Sequence, residues 1–140
     1  MPRYYTVGEV NEMIPQLEDI FARVLQLRSQ LKPIFQRLEA KKYAPSGDDF
    51  DPMVAGAPPD VVRDRVTLKA LLECVMGEVA EVERLGGMIK DIETGLCDFF
   101  ARAAGRDVLL CWRYGEKECA FYHELQAGFA GRRPVAELRQ

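Results

Sequence analysis

The stretch MIPQLEDIFARVLQLRSQLKPIFQRL, running from Met13 to Leu38, decides how the rest of the chain is read. Met13, Ile20, Leu27 and Ile34 recur every seven residues, and Leu17, Val24, Leu31 and Leu38 repeat at the same interval. Two apolar sets offset in this way form an a/d seam, the pattern of helices that pair with a left-handed twist. Glu18, Asp19, Arg23, Arg28 and Gln30 occupy the polar side. Such a seam needs a partner, and one follows Asp60. Val61, Leu68, Val75, Val82 and Ile89 keep the same spacing, with Leu72 and Val79 at the second position and Arg65 and Gly86 as interruptions. The two segments predict a long antiparallel helical hairpin, coiled-coil-like in its packing.

Thr6 and Glu9 have the spacing of a capping box and open helix 1, expected over 6–42. Pro15 comes early enough to predict a short helical turn leading into the long helix. The stretch 43–59, with Pro45, Gly47, Asp48, Asp49, Asp51, Pro52, Gly56, Pro58 and Pro59, predicts a flexible acidic loop. Asp60 is placed to cap helix 2, expected over 60–89. Phe21, Leu25 and Phe35 flank the first seam, and Leu71, Met76 and Leu85 the second. A two-helix hairpin cannot cover so wide a stripe, so either the C-terminal segment or a second copy of the chain must pack there. Gly77 suits a close helix crossing, and Gly86-Gly87 suits helix termination.

Beyond these glycines the periodicity changes. Leu96–Ala101, Asp107–Arg113 and Glu118–Glu124 read as strands. Gly105 supplies the positive φ for the first turn, and Tyr114-Gly115-Glu116-Lys117 forms the second. The alternation of glycine with an aromatic and with arginine over 128–134 reads as an ordered loop. The expected fold is therefore α+β and mostly helical. It is one domain over 1–140, with a small three-stranded antiparallel meander within 90–140.

Composition bounds the function. The chain has 140 residues, of which 48% are hydrophobic and 29% charged, which excludes both a disordered tail and a membrane bundle. Nineteen basic residues against 22 acidic ones leave a formal charge of −3, so the surplus of positive charge expected of a non-specific nucleic-acid binder is missing. Met1-Pro2-Arg3-Tyr4-Tyr5 lacks an apolar core of signal-peptide length, and no run reaches ~18 apolar residues. A soluble, cytoplasmic protein without membrane association is expected. Cys74, Cys97, Cys111 and Cys119 contain no C-x-x-C pair and read as buried small hydrophobes. No Walker loop, nucleophile elbow, H-E-x-x-H or G-x-G-x-x-G motif is present.

Residue types able to do chemistry concentrate between Asp91 and Arg132. His123 is the single histidine, on the third expected strand, sharing a face with Cys119 and Phe121. It suits a metal ligand or a general base, or else a buried imidazole bonded to a carboxylate. If residue 98 pairs with 110 and 110 with 121, then Asp98, Trp112 and His123 face one side, an arrangement that depends on register. Asp98, Glu116 and His123 are the candidate ligands for a divalent metal such as manganese, iron or zinc, with Asp91 or Asp98 needed to converge on it. Arg132, with Arg133 beside it after the glycine-containing loop, suits an anion clamp; the plainer alternative is a salt bridge to Asp91, Asp98 or Glu116. Trp112 suits ligand stacking or, more simply, a core anchor. Asp91, Asp98, Trp112, Glu116, His123 and Arg132 together form the candidate ligand-binding set.

Lys90-Asp91, Thr94-Gly95-Leu96, Asp98-Phe99, Cys111-Trp112-Arg113, Gly115-Glu116, His123 and Gly128-Phe129-Ala130-Gly131-Arg132 follow one another in an order that resembles the bacterial domain-of-unknown-function family 2203. Tyr5-Thr6 with Glu9, Asn11 and Pro15 resembles that family's opening segment. The resemblance spans nearly the whole chain outside the central loop, although Phe100 stands where members usually carry proline. It implies the fold and the cytoplasmic location and brings no activity with it. Two functions are therefore expected as alternatives. One is an interaction or small-ligand-binding module, homodimeric through its helices, with a protein partner or a small anionic ligand. The other is a small metal-dependent or acid–base enzyme built around His123.

Overall fold

The structure, a computed structural model, describes residues 3–46 and 50–138. Two helices come first, α1 (Val7–Ala40) and α2 (Pro59–Arg84). Five strands follow: β1 (Met88–Asp91), β2 (Leu96–Ala103), β3 (Arg106–Arg113), β4 (Phe121–Glu124) and β5 (Arg133–Pro134). The chain divides into two compact units, one from residues 1–22 and 79–140, the other from residues 23–78. No helix among the described residues is long and apolar enough to cross a membrane.

Both halves of the capping box form. Thr6 N–H donates to Glu9 Oε1 at 2.9 Å, and Glu9 N–H donates to Thr6 Oγ1 at 3.1 Å. The break expected at Pro15 does not occur, because α1 runs unbroken through both Pro15 and Pro33. An interior proline costs about 3 kcal/mol. Burial of Ile14 and Leu17 on either side of Pro15 supplies the offsetting packing.

In the unit 23–78 the helices are antiparallel. Arg23 pairs with Glu78 at 2.7 Å, Arg37 with Asp64 at 2.9 Å and Lys41 with Asp60 at 2.5 Å, so one helix advances as the other retreats by equal steps. Asp60 thus lies inside the first turn instead of capping it, and Pro59 takes the opening helical position, where its missing N–H costs nothing. Leu38, Val61 and Leu68 form a fully buried cluster joined by Leu31, Ile34, Phe35 and Leu72, so Phe35 needs no outside cover. Arg65, which interrupts the seam, is buried too. It donates to the Tyr43 carbonyl and, at 2.7 Å, to the Asp51 carbonyl, with its guanidinium 5.3 Å from the Phe50 ring centre. Both flanks of the connecting segment are therefore tethered; the expected turn residues Gly47, Asp48 and Asp49 lie outside the described residues. Two expectations fail here. Cys74 is exposed, not buried, and a side chain at Gly77 would meet open space, so no close crossing occurs there.

In the other unit α2 ends at Arg84, short of the expected residue 89. Gly86 adopts φ 98°, and its hydrogen lies against the Tyr5 ring, where a Cβ would come within 1.9 Å of the Tyr5 hydroxyl. Only glycine fits both demands. Met88 and Ile89, read as the end of helix 2, instead open an edge strand that runs to Asp91, and Arg133–Pro134 adds the opposite edge. The sheet therefore has five antiparallel strands in sequential order, where three were expected. Gly105 does take the positive φ expected of the β2–β3 turn.

Cys97, Phe99, Leu110, Trp112 and Tyr122 are buried and share one sheet face by register. Phe21 of α1 packs on Trp112 and Tyr114 at ring separations of 5.9 and 6.3 Å, so this surplus apolar residue is covered by the C-terminal segment. The opposite face carries Asp98, Leu109, Cys111 and His123, also buried. Burial on both faces is why β2 and β3 read as near-continuous apolar runs.

Candidate functional site

Asp98 of β2 pairs directly with Cys111 of β3, and His123 of β4 pairs with Leu109, so the three side chains stand together on one face. All are buried, with Asp98 1% and His123 3% exposed. His123 Nδ1 lies 2.7 Å from the Glu124 carbonyl oxygen, which can only accept, so Nδ1 carries a hydrogen. His123 Nε2 lies 3.0 Å from Asp98 Oδ2. In the neutral ring Nε2 is then a bare lone pair aimed at a carboxylate oxygen. Such a contact holds only with positive charge between the two atoms, supplied by a proton or by a metal ion. Asp98 Oδ1 is buried and has no hydrogen-bond partner among the described residues. Burial, reinforced by the Asp98 charge, pushes the Cys111 thiol up to about 12. One ligand atom from each of the three residues falls within 4.8 Å of the others.

Asp98 and His123 form the floor of a cleft of about 240 Å³ walled by Leu96, Leu109, Leu125 and Phe129, with Lys90 and Gln126 also lining it. The loop after β4 supplies one wall. It is held down by Arg132, which donates to the Cys111 carbonyl at 3.1 Å and to Glu116 Oε1 at 2.7 Å. The guanidinium also stacks on Phe121 and Phe129, 4.3 and 4.7 Å from the ring centres.

The expected register is off by one residue in each hairpin: Asp98 faces Cys111 instead of Leu110, and Leu110 faces Tyr122 instead of Phe121. The two errors cancel between β2 and β4, so Asp98 and His123 still converge. They do not cancel within β3, so Trp112 turns to the opposite face. There it is fully buried and donates its indole N–H to the Glu116 carbonyl at 2.9 Å. Glu116 leaves the metal set, because its carboxylate is held by Arg132 and by the Arg113 N–H at 2.6 Å. That ion pair is the plainer of the two readings of Arg132, and Arg133 likewise pairs with Glu137 at 2.9 Å. Asp91 is exposed and accepts from the Glu93 N–H at 3.0 Å, away from the buried cluster. Cys119 precedes β4 instead of lying on it, and its N–H donates to Asn11 Oδ1 at 2.7 Å. The residue missed at the site is Cys111. Only the register, which alternation leaves open where both faces are covered, places it across the hairpin from Asp98.

The profile of an uncharacterized conserved protein family, DUF2203, matches residues 3–135. The chain belongs to this family. The match to DUF2203 encloses α1, α2, the sheet through β5 and all three clustered side chains. The family description names no activity. No curated protein and no solved structure matches the chain.

Proposed function

We propose that the chain is a small-ligand-binding module whose ligand sits in the cleft above Asp98 and His123. The observation that carries this reading is Asp98 Oδ1, buried without a hydrogen-bond partner among the described residues, in a carboxylate that lines a cleft walled mainly by Leu96, Leu109, Leu125 and Phe129. Buried polar atoms are nearly always hydrogen-bonded, and a bound ion or water, or a catalytic role, is among the explanations for an exception. Apolar walls with a few convergent polar groups are the usual make-up of a ligand site. Two probes suit the ends of this cleft: benzylamine, whose ammonium matches Asp98 Oδ1, and benzoate, whose carboxylate matches Lys90. Amide-shift titrations should move Leu109, His123, Gly128 and Phe129 with at least one probe. No movement there with either probe overturns the reading.

The same buried pair favours a second reading, general acid–base chemistry on a bound ligand, since Nε2 is paired with Asp98 in a dyad that lines the cleft while Nδ1 is fixed by a carbonyl. A cytoplasmic location is supported by the four free cysteines. We further propose self-association through the helices, with Met76 on α2, 63% exposed, as the residue that tests it.

A further inference from the structure

We propose that Asp98, Cys111 and His123 bind one divalent transition-metal ion of the zinc class, through the Asp98 carboxylate, Cys111 Sγ and His123 Nε2. The inference rests on the cleft being the functional site, and it names what that site holds. Three ligand types come from three adjacent strands of one sheet, all buried, with ligand atoms inside 4.8 Å. A carboxylate oxygen, a sulfur and an imidazole nitrogen form a donor set typical of zinc, and three protein ligands leave a fourth tetrahedral position for water or ligand.

Two further observations point to a cation. The first is the Nε2···Oδ2 contact of 3.0 Å, which with Nδ1 carrying a hydrogen needs positive charge between the two atoms and is close to the spacing of two atoms sharing one metal. The second is Asp98 Oδ1, buried beside the pair with no hydrogen-bond partner of ordinary geometry among the described residues. The outer shell is in place as well, because Nδ1–H donates to the Glu124 carbonyl at 2.7 Å, the bond that fixes a ligating histidine's tautomer. The cleft lined by Asp98 and His123 gives the ion a route from solvent and leaves room for a ligand on its open side. The Glu116 carboxylate takes no part, being tied to Arg132.

Tag-free full-length protein, stripped with chelator, is titrated with zinc and separately with cobalt(II). One equivalent should bind, and cobalt should develop the near-ultraviolet thiolate charge-transfer band that reports cysteine ligation. Cys111→Ser should abolish the band, while Cys74→Ser, which alters the exposed cysteine, should keep it. Asp98→Asn retains a hydrogen bond to the imidazole, so it should fold and still bind zinc at least ~100-fold more weakly, since outer-shell partners alone are worth 10–100-fold. Absence of saturable binding overturns the proposal, as does binding that survives both Cys111→Ser and Asp98→Asn unchanged. If the benzylamine or benzoate shifts persist in protein that binds no metal, the metal inference falls and the cleft reading stands. If both are absent, both fall.

Discussion

Asp98→Ala in metal-stripped protein is the perturbation whose cost the structure specifies best. Asp98 and His123 are 1% and 3% exposed, so water entering from the adjoining cleft replaces the lost carboxylate only in part. His123 is left with Nδ1 committed to Glu124 and with Nε2 facing a hole. An orphaned neutral polar group costs about 1–3 kcal/mol. The surviving half of a buried ion pair costs about 3–5 kcal/mol. A loss of about 3 kcal/mol is expected, on a total stability of about 5–15 kcal/mol. For a chain of this length that lowers the melting temperature by on the order of 10 °C. Asp98→Asn is the control. Its amide N–H can donate to a bare Nε2, so it should cost no more than about 1 kcal/mol. Urea unfolding can be followed by the fluorescence of Trp112, the single tryptophan, which is fully buried on the opposite face of the sheet. If Asp98→Ala costs under about 1 kcal/mol, or Asn costs as much as Ala, the account of this pair is wrong.

Gly86→Ala should destabilise the protein by at least about 2 kcal/mol, since it combines a positive φ with the Tyr5 ring in the path of the new methyl; an unchanged thermal melt contradicts this. Arg132→Lys keeps the charge and a donor for Glu116 but loses the planar guanidinium that stacks on Phe121 and Phe129, so amide exchange over 128–134 should speed up at least ~10-fold, as local opening loses its main restraint. Exchange unaltered from wild type would contradict the role given to Arg132. Glu9, Asp60, Asp64 and Glu124 have carboxyls held below the usual range, Glu9 by backbone hydrogen bonding at Thr6 and the others by side-chain hydrogen bonds from Lys41, Arg37 and Arg106. Their contribution is present above their unfolded-state values and lost as pH falls through the folded ones, so the melting temperature should drop between about pH 5 and pH 3. A flat profile there would contradict it. If α2 mediates self-association, light scattering at micromolar concentration should give a dimer mass that Met76→Asp returns to monomer; a monomeric wild type removes that proposal.

The helices were legible because their signals are local. The heptads from Met13 to Leu38 and from Val61 to Val82 need only the 3.6-residue repeat, and the capping box is a three-residue spacing. Pro15 misled because burial of Ile14 and Leu17, a tertiary effect, outweighs a local penalty. Met88–Asp91 was obscured by Ile89, which falls by coincidence on the heptad, while the stop signal at Gly86-Gly87 carried the true boundary. A two-residue strand such as Arg133–Pro134 has no pattern to read. Side-chain types identified Asp98 and His123, but the one-residue register decided the rest. It turned Trp112 away and brought Cys111 in, and hydrogen bonding at the turn gave Glu116 to Arg132. Register is set by how the turn closes and by which faces are covered, and here both faces are covered, so alternation gave little guidance.

The most direct test of the site is the nitrogen-15 spectrum of the imidazole of His123, which is unambiguous because the chain has one histidine. In metal-stripped protein Nδ1 should be protonated, held by the Glu124 carbonyl. One equivalent of zinc should then shift Nε2 alone while Nδ1–H persists. A bare Nδ1 in the stripped protein, or an Nε2 signal that zinc leaves unmoved, would contradict the site as described.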